Sequence, residues 1–386
     1  MISWIFAVAA VLLAVLPSLL PRPARAVAIA LLSAGAVWLI WAPPLIPILA
    51  ASAAVYGLGL WLPRLREPAR GAVLAAGVVA VVGTLAWLRA AQPDRATLVA
   101  TTAVVGLSYF SLKFIQHLVD SAAGRAREVG PVDFVANVFF LPTFSAGPIE
   151  RTDEFARALD AEPPSWSERI LGVERILFGL GKKLVIGDFL LGYAEPSFRN
   201  PELLSTGALW LAAYAFAIAL YLDFAGYSDV AIGVARLAGI RVRENFDFPY
   251  LQRNLTLLWQ HWHMSLTSWL RDFLFIPIAR RMLRRTRRPM LSQATAQTVT
   301  MVACGLWHGL AWNFAAWGLY HAIALTLLAV WRQRRGPARR SPVRDAASTL
   351  LTFHVFVVGT VIFGCDLPRA GVFLGRLFGI GSGVAP

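Results

Sequence analysis

The 386-residue sequence is 57% hydrophobic and only 15% charged, and its mean hydropathy is +0.60. Soluble domains carry about 25% charged residues, so this composition excludes an ordinary cytosolic enzyme, and it also excludes a disordered chain. The net charge of +14 is compatible with a nucleic-acid partner. However, the densest basic stretches, 280–288 and 332–344, lie between apolar runs, which is typical of arginines between membrane spans. We therefore expect an integral membrane protein with no nucleic-acid partner.

Charge-free runs predict the membrane spans in chain order. The first, Ile2–Pro21, has no basic segment before it and is predicted to be a retained span rather than a cleaved signal peptide. The run Ala26–Pro63 is interrupted at Pro43-Pro44, which predicts two helices. Single spans are predicted at Gly71–Leu88, Ala96–Leu112, Leu203–Leu222 and Ala346–Cys365.

The run Ser292–Val330 has no Asp, Glu, Lys or Arg and has room for two short spans. It lies between the two arginine-rich stretches, and if both are cytoplasmic the run must cross the membrane an even number of times. The same argument makes Ala26–Pro63 a hairpin and places the N-terminus outside. We predict a multi-pass protein of the plasma, or inner, membrane.

Two segments, Lys113–Asp188 and Asp223–Arg280, mix apolar and ionisable residues instead. Polar groups at membrane depth are tolerated only where they face a cavity or the bundle interior. We predict amphipathic, interfacial or re-entrant helices in both segments and an irregular stretch where proline and glycine are dense, at 139–151. The chemistry is expected here and in Ser292–Val330.

A histidine lies inside the charge-free run, in Gly305-Leu306-Trp307-His308-Gly309. Ionisable residues in membrane spans are usually functional, and the flanking glycines allow a ligand or another backbone to approach closely. Histidine is also the side chain best suited to accept a proton near neutral pH. A core histidine bonded to a backbone carbonyl is the competing interpretation.

A second histidine belongs to an aromatic stripe. Trp259, Trp262, His263, Leu266 and Leu270 have the spacing of one helix face, which predicts a single helix with His263 inside its apolar stripe. An interfacial aromatic belt explains the tryptophans equally well, but it explains a histidine in the stripe less well.

A third motif, Tyr221–Asp229, follows directly on a predicted span and carries two acids and two tyrosines around a glycine. It predicts a polar pocket at a helix end, and an acidic capping loop at the interface is an equal alternative. Neither a metal-ligand cluster nor a phosphate-binding loop stands out. Residue chemistry alone leaves both proton abstraction beside an acyl donor and proton-coupled transport open.

Taken together, the motifs resemble those of the membrane-bound O-acyltransferase family, in its bacterial branch of alginate O-acetyltransferases and teichoic acid D-alanyltransferases. The resemblance covers roughly residues 106–325 in the family's order. It rests on Gly106–Phe110 with Asp120, Ala146–Ile149, Gly179–Asp188, Asp223–Asp229, Glu244–Phe246, Trp262–Leu266 with Arg271-Asp272, Gly305–Gly309, Trp312-Asn313 and Gly318–His321.

The resemblance implies an all-α fold with about 11 transmembrane helices, plus re-entrant or interfacial helices, in a ring around a central tunnel, as one domain over 1–386. It places the family's catalytic histidine on His308, as general base, and its second position on His263, which orients a substrate or holds the oxyanion. Tentative substrate-binding residues are Asp223, Tyr227, Asp229, Trp262, Ser265, Trp307 and Asn313, with no metal.

The implied reaction moves an acyl group from a cytoplasmic thioester to a hydroxyl of an extracytoplasmic polysaccharide or cell-wall polymer. The stretch Phe273–Ile278 follows the acetyltransferase pattern, whereas Trp262–Leu266 is closer to the D-alanyl pattern. Acetyl-CoA is the preferred donor, and transfer of D-alanyl or another acyl group from a carrier protein is the alternative. An extracytoplasmic acyltransferase or esterase-like partner is implied, besides the membrane lipid. The arginines of 280–288 could bind the donor's phosphates or an acidic carrier protein. The preference for positive charge on the cytoplasmic side of the membrane explains them equally well. The competing hypotheses are a proton-coupled transporter and a silent scaffold.

Overall fold

The computed structural model describes residues 4–41, 45–90, 102–125, 129–335 and 341–380. Within these ranges the chain is helical and has no strand, apart from an isolated bridge between Phe246 and Trp262. The all-α prediction is therefore confirmed. The predicted break at Pro43-Pro44 and the start of the predicted span Ala96–Leu112 lie outside the described residues.

The described ranges contain α-helices of 4 to 32 residues. They are α1 (Trp4–Val15), α2 (Arg22–Trp41), α3 (Leu45–Trp61), α4 (Ala69–Ala90), α5 (Thr102–Ala122), α6 (Pro131–Phe139), α7 (Leu141–Phe144), α8 (Thr152–Leu159), α9 (Trp166–Leu180), α10 (Asp188–Arg199), α11 (Thr206–Leu237), α12 (Leu255–His261), α13 (Met264–Leu270), α14 (Ile276–Thr286), α15 (Pro289–His308), α16 (Trp312–Arg335), α17 (Pro342–Gly364) and α18 (Leu367–Leu377). The segments Gly181–Gly187 and Arg271–Phe275 are π-helical. Such segments occur frequently at functional sites.

Among the described residues, α4, α11, α16 and α17 are long and apolar enough to cross a membrane. The most apolar stretch of α4 has no buried residue, so its side chains are free to face lipid. α4 and α17 contain the predicted spans Gly71–Leu88 and most of Ala346–Cys365. These helices make the protein a membrane protein.

The chain divides into two compact units, of which the first comprises residues 1–180 and 227–244. In this unit α2 packs against α6, and α4 packs against α5. The core is rich in aromatic rings, and its fully buried side chains include Phe134, Phe139, Phe140 and Phe155. Phenylalanines in and beside short helices therefore build this core together with apolar residues of the longer α2, α3 and α5.

Buried polar groups explain why Lys113–Asp188 mixes residue types. Lys113 is 1% exposed, and its ammonium donates to the Asn137 carbonyl at 2.6 Å and to the Thr143 hydroxyl at 3.5 Å. The buried Glu150 accepts the backbone N–H of Arg243 at 2.7 Å. Burial raises the pKa of Glu150 to about 7. As predicted, the stretch before Glu150 is irregular, with the four-residue α7 followed by non-helical backbone.

The second unit comprises residues 181–226 and 245–386. One part of its core lies among α10, α11, α17 and α18, where Phe198, Phe216, Val361 and Phe373 are buried. In another part, α15 and α16 are joined by the short turn 309–311 and pack closely against each other. They form the helical pair that the run Ser292–Val330 predicts.

One prediction about helix ends is wrong. The motif Tyr221–Asp229 is neither a pocket at a helix end nor a capping loop, because α11 is 32 residues long and continues through it to Leu237. The two acids lie inside this helix, and each is paired with a base, Asp223 with Lys183 and Asp229 with Arg175. Ion pairing lets carboxylates lie within an otherwise apolar helix.

Candidate active site

The site lies in the second unit, where α15 ends at His308 and turns into α16. Two glycines let these helices touch. A Cβ on Gly305 would overlap the carbonyl oxygen of Phe314, and one on Gly318 would overlap that of Met301. No other residue type leaves room for this approach. The two glycines therefore hold the end of α15 close against α16.

Aromatic rings surround the half-buried imidazole of His308. Its ring centroid lies 4.9 Å from Trp307, 5.5 Å from Trp317 and 5.2 Å from Phe363, each packed edge to face. Such packing fixes the orientation of the imidazole, while its partial exposure keeps it accessible to a ligand. A positioned imidazole of this kind is suited to accept and return a proton.

His263 is held by an unusual backbone conformation. The predicted single helix is wrong here, because α12 ends at His261, Trp262 is extended, and His263 is left-handed with φ of 43° before α13 begins. Non-glycine residues with positive φ are uncommon, and they persist only where the surroundings over-determine them. Trp262 and His263 therefore do not share a helix face with Leu266.

Asn245 is the residue that holds this break in place. Its carbonyl accepts the N–H of Met264 at 2.8 Å, and its side-chain oxygen accepts the hydroxyl of Ser265 at 2.6 Å. Next to it, Phe246 forms the bridge to Trp262. Asn245 is completely buried and was not among the predicted site residues, although its motif Glu244–Phe246 was a recognisable signal.

The two histidines are brought to one place. The buried His263 ring packs edge-on against Phe224 at 4.6 Å and lies 6.2 Å from Trp307, whose ring also packs on His308. Trp307 thus lies next to both imidazoles, as expected of a residue that lines the candidate site. One such imidazole can move a proton while the other donates to a developing oxyanion.

Other predicted residues of this unit have supporting contacts. Trp262 is buried and packs on Phe356 at 4.8 Å, and Asn313 donates to the Phe363 carbonyl at 3.3 Å. The Ser265 hydroxyl donates to the side-chain oxygen of Asn245, as described above. Asp223 is 42% exposed and is ion-paired with Lys183 of the π-helical segment, so its carboxylate remains accessible to a ligand.

Tyr227 and Asp229 belong to the first unit. The Tyr227 hydroxyl is 2.8 Å from that of Ser145. Asp229, which is 7% exposed, accepts from Arg175 at 2.9 Å, and Arg175 also donates to Glu244 at 2.6 Å. A buried carboxylate in such a network contributes to the stability of the fold. The sequence motif did not suggest this structural role for Asp229.

Asp229→Asn is therefore expected to destabilise the protein by about 1–3 kcal/mol and to leave the KM for substrates unchanged, since a charged hydrogen-bond partner of Arg175 is lost. Thermal unfolding of the detergent-purified chain measures the first effect. Asp153→Asn is the matched control, because its pair with Arg157 is solvent-exposed and is worth little. A raised KM at an unchanged melting temperature would contradict the structural role.

A family model of the membrane-bound O-acyltransferases matches residues 79–365. The chain belongs to this family. It is 33% identical over 282 residues to a probable alginate O-acetylase of Pseudomonas fluorescens, an alignment that covers 72% of this chain and 54% of the relative. It is 27% identical to the teichoic acid D-alanyltransferase of Streptococcus thermophilus, covering 67% and 68%.

A third relative is the peptidoglycan O-acetyltransferase of Helicobacter pylori, which is 28% identical over 251 residues, or 58% of this chain and 47% of the relative. The chain spans about half the length of the probable alginate O-acetylases that it matches. The family match includes both histidines of the site and begins after α3.

Proposed function

We propose that this chain is a membrane-bound O-acyltransferase that moves an acetyl group from a cytoplasmic thioester to a hydroxyl of an extracytoplasmic polysaccharide or cell-wall polymer. The observation that carries the proposal is the accessible His308 in its aromatic surroundings, with His263 also near Trp307, at 6.2 Å between ring centroids. Relatives named for O-acetylation of two different polymers support the acetyl group and the acceptor class.

In the proposed mechanism His308 takes the proton of the acceptor hydroxyl as its oxygen attacks the thioester carbonyl. A base in this position is worth about 10²–10⁴-fold in rate. His263 donates to the oxyanion of the tetrahedral intermediate, a contribution of about 10²–10³-fold. When the C–S bond breaks, His308 returns the proton to the departing thiolate, so the site regains its starting protonation state.

The proposal includes a single functional domain over 1–386, with about 11 transmembrane helices surrounding a tunnel in the plasma or inner membrane. Such a tunnel allows the donor to enter from the cytoplasm and the acceptor from outside. Acetyl-CoA is the proposed donor and no metal is involved. The acetyl group reaches the polymer either directly or through an extracytoplasmic acyltransferase or esterase-like partner.

The test uses inside-out membrane vesicles that contain the chain and enclose de-O-acetylated alginate or peptidoglycan fragments, with radiolabelled acetyl-CoA added outside. We expect base-labile label on the enclosed polymer, and none in vesicles without the chain. Label that appears only when D-alanyl carrier protein replaces acetyl-CoA would assign the chain to D-alanyl transfer instead. Unmodified acetyl donor accumulating inside would favour the transporter hypothesis.

A further inference from the structure

A polar cavity lies in the first unit, between the end of α3 and the end of α5. Its volume is about 340 Å³. The described residues that line it are Tyr56, Gly59, Leu60, Pro63, Arg64, His117 and Ser121. None of these seven is acidic, and three of them carry donors suited to an anion.

His117 is the residue of this cavity whose polar atoms indicate a ligand. It is only 3% exposed, and neither of its ring nitrogens has a hydrogen-bond partner among the described residues. Its ring is fixed by stacking on Tyr56 at 5.6 Å and packing on Phe134 at 4.4 Å. Buried polar groups are normally satisfied, so these nitrogens point to an absent partner.

Gly59 keeps the space beside the imidazole open. A Cβ at this position would lie 2.5 Å from His117 Nε2 and 2.9 Å from Ser121 Oγ, so glycine alone is tolerated without displacement. The cavity is many times larger than the roughly 30 Å³ that one water occupies. It therefore has room for a larger group than a bridging water.

Arg64 supplies the charge at this end of α3. It follows a helix without charged residues, and the nearby Trp61 is 49% exposed. Tryptophan and arginine at the end of an apolar helix are typical of the level of the lipid headgroups. Asp120, the acid on α5, lines a separate small cavity that His117 also borders, and it is paired with Arg125 at 2.6 Å.

We propose that this cavity binds the phosphate group of an anionic membrane phospholipid, with Arg64, His117 and Ser121 as donors. The Arg64 guanidinium forms the strong, charge-assisted bonds that phosphate oxygens accept, and a neutral His117 imidazole supplies one further N–H donor. Tyr56, Gly59 and Arg64 precede residue 79, where the family match begins. The site is independent of the proposed function.

The test measures lipid retention by native mass spectrometry of the full chain, purified in detergent with equal phosphatidylglycerol and phosphatidylcholine. The wild type should retain phosphatidylglycerol about tenfold better. His117→Phe keeps the ring stacking but removes both nitrogens, and Arg64→Gln removes the charge. Each should reduce retention to the level of phosphatidylcholine. Arg66→Gln, two residues further along an exposed stretch, is the matched control and should behave as the wild type.

Equal retention of phosphatidylglycerol by all four proteins would overturn the proposal. If His117→Phe fails to fold, Arg64→Gln at the exposed edge of the cavity decides the question alone. Displacement of the lipid by millimolar inorganic phosphate would assign the site to free phosphate rather than to a lipid. Acyl transfer by the variants is a separate measurement, so failure of this proposal leaves the proposed function untouched.

Discussion

Replacing His308 with alanine is expected to reduce acyl transfer at least about hundredfold, because the general base is lost. The imidazole is enclosed by Trp307, Trp317 and Phe363, so no neighbouring side chain among these can take over proton transfer. Initial rates with radiolabelled acetyl-CoA, measured with membranes of equal protein content, give the size of the loss. A fall in kcat with little change in KM is the signature expected of a group that acts in the transition state.

His354→Ala is the matched control for this experiment. His354 also lies in the second unit, but its ring contacts the Tyr214 hydroxyl at 2.8 Å and the Leu350 carbonyl at 2.7 Å, in α17. We expect it to retain most of the activity. His308→Asn, which keeps a polar group among the rings, separates loss of the base from loss of packing. Full transfer by His308→Ala would exclude this residue as the base and with it the proposed mechanism.

The sequence predicts the helical class and the position of His308 well, for physical reasons. Hydrophobic runs report helices directly, and the charge-free run Ser292–Val330 corresponds closely to α15 and α16. A histidine in such a run is energetically costly unless it is used, so the run alone motivates a functional role for His308, which stays a prediction. Gly305 and Gly318 are visible in the sequence, but their contact partners are not.

The errors of prediction arise where tertiary contacts override local pattern. The helix period through Trp259–Leu270 is real, yet the chain breaks at His263 because Asn245, almost twenty residues earlier, binds Met264 and Ser265. Likewise, α11 continues past Asp223, whose carboxylate is ion-paired with Lys183 of the segment Gly181–Gly187. Neither partner could be identified from sequence spacing, since both interactions are long-range.

The second large effect is expected from a substitution at the contact between α15 and α16. Gly305→Ala is expected to destabilise the protein by about 3 kcal/mol and to remove most activity, because its Cβ would overlap the backbone carbonyl of Phe314. A backbone atom in a packed helix cannot rotate away as a side chain can. The two helices must separate, and His308, three residues further along α15, moves with them. Thermal unfolding and acyl-transfer rate of the purified chain measure both effects.

Gly192→Ala makes the same substitution in α10, where nothing lies within 4 Å of the added carbon. There alanine should raise helix stability by up to about 1 kcal/mol, since glycine is the poorer helix former. Gly318→Ala should repeat the loss seen with Gly305→Ala, because its Cβ meets the Met301 carbonyl across the same contact. If Gly305→Ala and Gly192→Ala unfolded at the same temperature, the close approach of α15 and α16 would be wrong. The position of His308 would then no longer follow from these glycines.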